Sequence, residues 1–212
     1  MNFGNKDFFL DGYSIKDLED VVFSTKEWSS VKEILSNKNE NVWVQTFSGL
    51  KFNPFNPDDA SINIIDIAHA LSMQCRFTGH CKKFYSIAEH SVYVSYLCDN
   101  KDALYGLMHD ASEAYMSDIS SPLKRSPDFK FYIDFEKKLQ RKIYNKFGLY
   151  EDEPESVKKA DLVMLATEAR DLMSQLHPEW VNLEKPFLFT IDPLPPEKAK
   201  ELFLKRFEQI YV

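Results

Sequence analysis

The chain has 212 residues, enough to bury a core without disulfide staples and of a length that fits one domain with extensions. Its 26 basic and 33 acidic side chains leave a formal net charge of −7, which argues against a general binder of phosphate backbones while leaving room for a local basic pocket. Cys75, Cys81 and Cys98 form neither a CxxC pair nor a regular spacing, the N-terminus has no basic start followed by an apolar run, and no apolar stretch approaches a membrane span, so the expectation is a soluble, unprocessed, cytoplasmic protein.

Residues 14 to 36 carry apolar positions at helical spacing (Ile15, Leu18, Val22, Val31, Ile34, Leu35), and a polar run follows, which predicts an N-terminal helical extension over residues 1–40 ahead of a single domain over 41–212. Val42 to Phe47 and Leu50 to Phe52 are β-prone segments around Ser48-Gly49, the pattern of a small hairpin that must pack on helices. From Ser61 onward the pattern is helical. Helices are predicted over Ile64 to Leu71, from Ser86 (the capping-box run Ser86-Ile87-Ala88-Glu89) to Leu97, and over Asp102 to Tyr115. Two longer ones follow, over Phe129 to Phe147 and Ser156 to Leu172, and a last one runs from Pro196 to Tyr211. Ser72 to Tyr85 and Met116 to Pro127 are read as irregular, and the aromatic side chains of Phe129 to Phe147 as a packing stripe.

Three of these helices carry groups that an apolar setting makes costly. His109-Asp110 lies inside the third helical pattern, Asp161 stands alone in the apolar run Ala160 to Ala166, and His90 shares a face with Ile87, Val94 and Leu97. Each alone has a plain packing explanation, since a lone inward histidine is usually a hydrogen-bonded core residue. The order His, His-Asp, Asp on separate helices is harder to obtain by chance, and one divalent cation bound by two imidazoles and two carboxylates would satisfy all four groups.

Much of the chain, from Trp43 to about Asp171, resembles the HD-domain phosphohydrolases, and within them the bacterial and phage deoxynucleotide hydrolases. The resembling segments include Trp43 to Gly49, Cys75 to His80, Phe84 to Ser91, His109 to Tyr115, Asp118 to Lys124 and Val157 to Asp161. The resemblance implies an all-α HD-domain helical bundle with the small hairpin on its N-terminal side. It further implies a single metal ion (Mn²⁺, Co²⁺, Zn²⁺ or Mg²⁺) held by His90, His109, Asp110 and Asp161. Glu113 is then the group that orients or deprotonates the attacking water, Arg76 and Lys124 contact phosphate, and Asp118 lies near the sugar and the leaving oxygen. Phe77 stands where close relatives carry tryptophan, as the wall that excludes a 2'-hydroxyl.

His69, His80 and His177 are read as ordinary helix-face or loop residues, Glu89 as a cap, and Glu168 and Arg170 as a solvated face. The activity so implied is hydrolysis of a deoxynucleoside 5'-monophosphate, with a dATP-like triphosphohydrolase of phage type as the alternative. A non-catalytic nucleotide-binding HD module is the alternative of another class, and the intact ligand set with Glu113 counts against it. The expected partners are a deoxynucleotide and a second copy of the chain in a homo-oligomer, with no membrane; a nucleic-acid polymer is disfavoured by the acidic balance and the absence of a basic stripe. The setting is the cytoplasm of a bacterium or a phage-infected bacterial cell.

Overall fold

A computed structural model describes residues 42–150, 152–180 and 183–211, of which those from Trp43 onward belong to one compact unit. The helical extension expected over residues 1–40 lies outside the described residues. Strands β1 (Val44–Gln45) and β2 (Lys51–Phe52) pair antiparallel, Val44 opposite Phe52, around a turn closed by Gly49 at φ 83°, a conformation glycine adopts without steric cost. The hairpin is tied to the bundle through Asp66, which accepts from Ser48 N and Oγ, both at 2.7 Å. The structure is otherwise helical, as expected of an all-α fold with a small hairpin.

The helices are α1 (Ile64–Met73), α2 (Ile87–Leu97), α3 (Ala103–Met108), α4 (Glu113–Met116), α5 (Ser121–Lys124), α6 (Lys130–Lys146), α7 (Glu155–Leu172) and α8 (Pro196–Ile210). Helix α2 is the axis of the bundle, packing against α1, α3, α7 and α8. Its sequence is nearly free of charge, and eight of its eleven residues are buried, which is the behaviour of a helix surrounded on all sides. Ser86 caps it, its hydroxyl accepting from Glu89 N at 3.1 Å. The Glu89 side chain does not complete a capping box. It is fully buried and accepts from Tyr93 Oη at 3.2 Å and from Leu194 N at 2.9 Å, fastening the segment before α8 onto α2.

Helix α3 approaches α2 closely at Gly106, where a Cβ would stand 2.8 Å from Cys98 Sγ and 3.0 Å from Ser95 Cα, so no other residue fits without displacement. Around these contacts Tyr85, Phe52, Phe203, Ile62, Ile67, Leu71, Leu107, Leu139 and Ile143 are sealed from solvent. Each contributes on the order of 1.5–3 kcal/mol through burial.

One expected helix is divided. Asp102 to Tyr115 is not continuous: α3 stops at Met108, residues 109–112 form turns, and α4 begins at Glu113. The interruption has a visible cause. A continuous helix would bond Ser112 N to Met108 O; instead the Gln140 amide of α6 is inserted there, Nε2 donating to Met108 O at 2.7 Å and Oε1 accepting from Ser112 N at 2.9 Å. Both backbone groups freed by the break are thereby satisfied. The stretch read as irregular between α4 and α6 holds α5 and a 3₁₀ turn at Pro127–Phe129, and that between α1 and α2 holds a 3₁₀ segment at Arg76–Gly79. Phe131 departs from the packing stripe expected of the α6 aromatics, being 67 % exposed.

Candidate metal centre

His90 comes from the first turns of α2, His109 and Asp110 from the turn between α3 and α4, and Asp161 from α7. His90, His109 and Asp161 each offer a ligand atom within 4.8 Å of the others, a group that could hold a metal ion. The two Nε2 atoms are 3.3 Å apart, and Asp161 Oδ1 lies 3.2 Å from His90 Nε2. Asp110 adjoins this group: its Oδ2 lies 3.2 Å from His109 Nε2, 3.8 Å from His90 Nε2 and 3.5 Å from Arg76 Nη1.

The far sides of the two rings fix their chemistry. His109 Nδ1 lies 2.8 Å from Gly106 O, and a carbonyl oxygen can only accept, so Nδ1 carries the hydrogen. His90 Nδ1 lies 2.6 Å from Glu168 Oε1. Burial opposes ionisation of Glu168, but Arg76 and His90 outweigh it and hold its carboxyl below the usual range, so it too accepts. In neutral rings both Nε2 atoms therefore present lone pairs to each other and to two carboxylates. Four acceptors meeting at one place require a positive charge. Burial alone would lower His109, yet Asp110 and Asp161 push it up to about 10, and the arrangement that draws a proton so strongly also draws a cation. Burial acts likewise against Asp110 and Asp161, and the histidines and Arg76 hold both below the ordinary carboxylate range, Asp161 at about 2. The donor set of imidazole nitrogen and carboxylate oxygen suits a divalent transition ion.

Glu168, read from the sequence as solvated, is fully buried and central. It orients His90 and also accepts from Arg76 Nε at 3.2 Å. The spacing carried a signal, because residue 168 follows 161 by seven positions and so lies on the same face of α7. Arg76 is thus held between Glu168 and Asp110, with its guanidinium 5.4 Å from the Phe77 ring. Phe77 and Thr78 take left-handed backbone conformations (φ 56° and 54°) and Gly79 follows at 80°, a strained loop of the kind that collects at functional sites. The Phe77 ring centroid is 6.4 Å from that of Trp180.

Glu113 lies at the start of α4, and its Oε2 is buried without a hydrogen-bond partner among the described residues. Burial, with Asp110 and Asp118 nearby, pushes its carboxyl well above the usual range despite Lys124 Nζ at 3.2 Å. Lys124 also meets Glu136 at 2.7 Å, so its charge is already shared between two carboxylates. Asp118 is half-buried, its backbone N–H donating to Gln74 Oε1 at 3.2 Å. Among the other histidines, His69 stacks on Phe47 at 3.7 Å, while His80 and His177 are exposed. Arg170 bonds Asp171 and the carbonyls of Phe187 and Phe189, tying α7 to the segment that precedes α8.

His109, Asp110, Glu113 and Lys124 line a cleft of about 650 Å³ together with Lys137, Gln140 and Arg141 of α6. That is an ordinary size for a small-molecule site. Among the described residues no helix is long and apolar enough to cross a membrane.

No family model matches the chain. The uncharacterized protein YfdR of Escherichia coli (strain K12) is 44 % identical over 174 residues, covering 79 % of this chain and 95 % of YfdR. An uncharacterized protein of Rhodobacter capsulatus is 30 % identical over 130 residues, covering 57 % of this chain and 66 % of its own length.

Proposed function

The chain belongs to the same family as YfdR, and from the geometry of its own site we propose that it is an HD-type, metal-dependent phosphohydrolase of deoxynucleotide phosphates. The observation that carries this reading is the convergence of His90 Nε2, His109 Nε2 and the Asp161 carboxylate, with Asp110 and Arg76 beside them, where His109 and Asp110 line a nucleotide-sized cleft.

A divalent cation (Mn²⁺, Co²⁺, Zn²⁺ or Mg²⁺) held by His90, His109, Asp161 and Asp110 would acidify a bound water and offset charge at phosphorus. The chain's own residues supply the rest. Glu113, whose buried Oε2 has no hydrogen-bond partner among the described residues, accepts a proton from the attacking water. Arg76, fixed through Nε and Nη1, keeps its Nη2 donors for phosphate oxygens. Lys124 adds a second positive charge, and Asp118 stands where the departing oxygen can receive its proton. Phe77 faces the sugar, excluding a 2'-hydroxyl.

A deoxynucleoside 5'-monophosphate is the favoured substrate. The lysines and arginine that line the cleft beyond Lys124, namely Lys137, Arg141 and Lys158, favour a second reading in which a triphosphate is accepted.

The test is release of phosphate, pyrophosphate and triphosphate across deoxy- and ribonucleotides, with and without metal. Turnover should vanish in excess chelator and return with Mn²⁺ or Co²⁺. His109→Ala and Asp110→Ala should lose bound metal, whereas Glu113→Gln should keep it and lose at least about a hundredfold in turnover. Full turnover by metal-free protein would overturn the reading.

A further inference from the structure

The cleft at the metal ligands shares a wall with a second groove. Lys137 and Arg141 line both, and the second groove, about 530 Å³, continues along the outer face of α6 with Lys138, Lys142 and Lys146. Five basic side chains thus follow one helix face over ten residues, about 13 Å of axis, in a protein whose net charge is −7. Among the described residues Lys137, Lys138 and Lys146 enter no ion pair, while Lys142 meets Asp59 at 3.0 Å and Arg141 meets Asp152. Aromatic rings lie on the same helix. Phe131 is 67 % exposed and packs at 4.6 Å against Phe135, which Phe55 holds edge-on at 4.7 Å and over which Lys138 Nζ stands at 5.2 Å. A mononucleotide needs only the cleft. A cationic track that leaves it and runs beside an exposed ring combines the two elements that bind single strands, charge along the backbone and a face for stacking.

We propose that the α6 groove binds the backbone of a short single-stranded oligodeoxynucleotide whose 5'-terminal phosphate enters the metal centre, with Phe131 stacking on a base. The proposal rests on the phosphohydrolase reading and extends it from mononucleotide to strand end. The chemistry is unchanged: a water oxygen bonds to phosphorus, the bond to the 5'-oxygen breaks, and that oxygen leaves as a protonated hydroxyl, giving phosphate and a 5'-hydroxyl strand. The sequence expectation of no nucleic-acid polymer rested on the acidic balance and on the lack of a basic stripe, and the groove bears on the second of these.

The test separates binding from turnover. Fluorescence anisotropy of a 5'-phosphorylated, 3'-labelled pentadeoxythymidylate is measured in excess chelator, so that no strand is cleaved. The triple variant Lys138→Glu, Lys142→Glu, Lys146→Glu should raise Kd at least tenfold and reduce the slope of log affinity against log salt by about two, since each neutralised phosphate of a single strand contributes roughly 0.7 to that slope. Phe131→Ala, at an exposed position, should weaken binding by about tenfold. Hydrolysis of a deoxynucleoside monophosphate by both variants should match wild type. Wild-type Kd equal to that of the triple variant would overturn the proposal, as would a triple variant equally impaired on the monophosphate, which would place the lysines in the mononucleotide site. If wild type hydrolyses no nucleotide, the phosphohydrolase reading falls, and the anisotropy still decides whether the groove holds a strand.

Discussion

Glu168 Oε1 lies 2.6 Å from His90 Nδ1, and neither side chain reaches solvent. A carboxylate on the outer nitrogen of a metal-binding imidazole fixes the tautomer and raises the basicity of the inner nitrogen. Glu168→Gln keeps an acceptor but removes the charge that both His90 and Arg76 face. The variant should fold and bind Mn²⁺ or Co²⁺ about 10- to 100-fold more weakly. Calorimetric titration with the ion checks this; equal affinity would mean that His90 is positioned without Glu168.

Gln140 is expected to matter as much as a ligand although it binds no ion. Gln140→Ala leaves Ser112 N without its partner and Met108 O with only Ala111 N, in a region where Met108 is sealed and Ser112 only 3 % exposed. The cost should be about 1–3 kcal/mol by urea unfolding, accompanied by weaker metal binding because the His109–Asp110 turn loses its brace. A variant of wild-type stability and affinity would show that the turn holds its shape unaided.

Asp66 gives a pH-dependent prediction away from the metal centre. Burial alone would raise its pKa, but hydrogen bonds from Thr46, Ser48 and Asn63 outweigh it and lower the value below 3.8. A depressed folded-state pKa means that the stabilisation is present above the ordinary carboxylate value and lost as pH falls through the folded one. Asp66→Ala should cost roughly 2–3 kcal/mol at pH 7, and the gap from wild type should narrow steadily below about pH 4. A gap independent of pH would mean that the carboxylate charge plays no part in docking the hairpin.

Phe77→Ala tests the sugar wall. An apolar surface rejects an added hydroxyl by about a hundredfold at most, so the variant should raise kcat/KM for a ribonucleotide relative to its deoxy counterpart by roughly ten- to a hundredfold. Phe77 is only half-buried, so the change should leave the fold intact. Arg76→Ala should depress both substrates together. An unchanged ratio in folded Phe77→Ala protein would remove Phe77 from sugar selection.

The helices that announce themselves by local signals match their sequence reading closely. Ser86 caps α2, α6 and α7 begin and end within a residue or two of their expected limits, and Pro196 opens α8. His90, His109 and Asp161 were legible because polar groups in apolar runs call for a partner, although of the three only His90 is fully sealed and the Asp161 side chain is 42 % exposed. What the sequence concealed depends on partners far along the chain. The break after Met108 is made by a side chain 32 residues later, and Glu89 turns from its cap toward a backbone N–H 105 residues away. Glu168 sits in the apolar stripe of α7 but could be recognised only as the seven-residue echo of Asp161, and the basic face of α6 reads as ordinary solvated lysine until its nearness to the cleft is known.

The Gln140 amide also has a geometric consequence. It grips Met108 O and Ser112 N at once, one above the other along the α3–α4 line, and so acts as a two-pronged key in a lock. Helix α6 can neither slide by a turn, about 5.4 Å, nor rotate about its axis without withdrawing both prongs. Arg141, the next residue, is therefore indexed to His109 and Asp110 as a tooth is to its ratchet. Whatever anion rests on that helix face meets His109 and Asp110 at a fixed offset, a ruler cut into the protein by one inserted side chain.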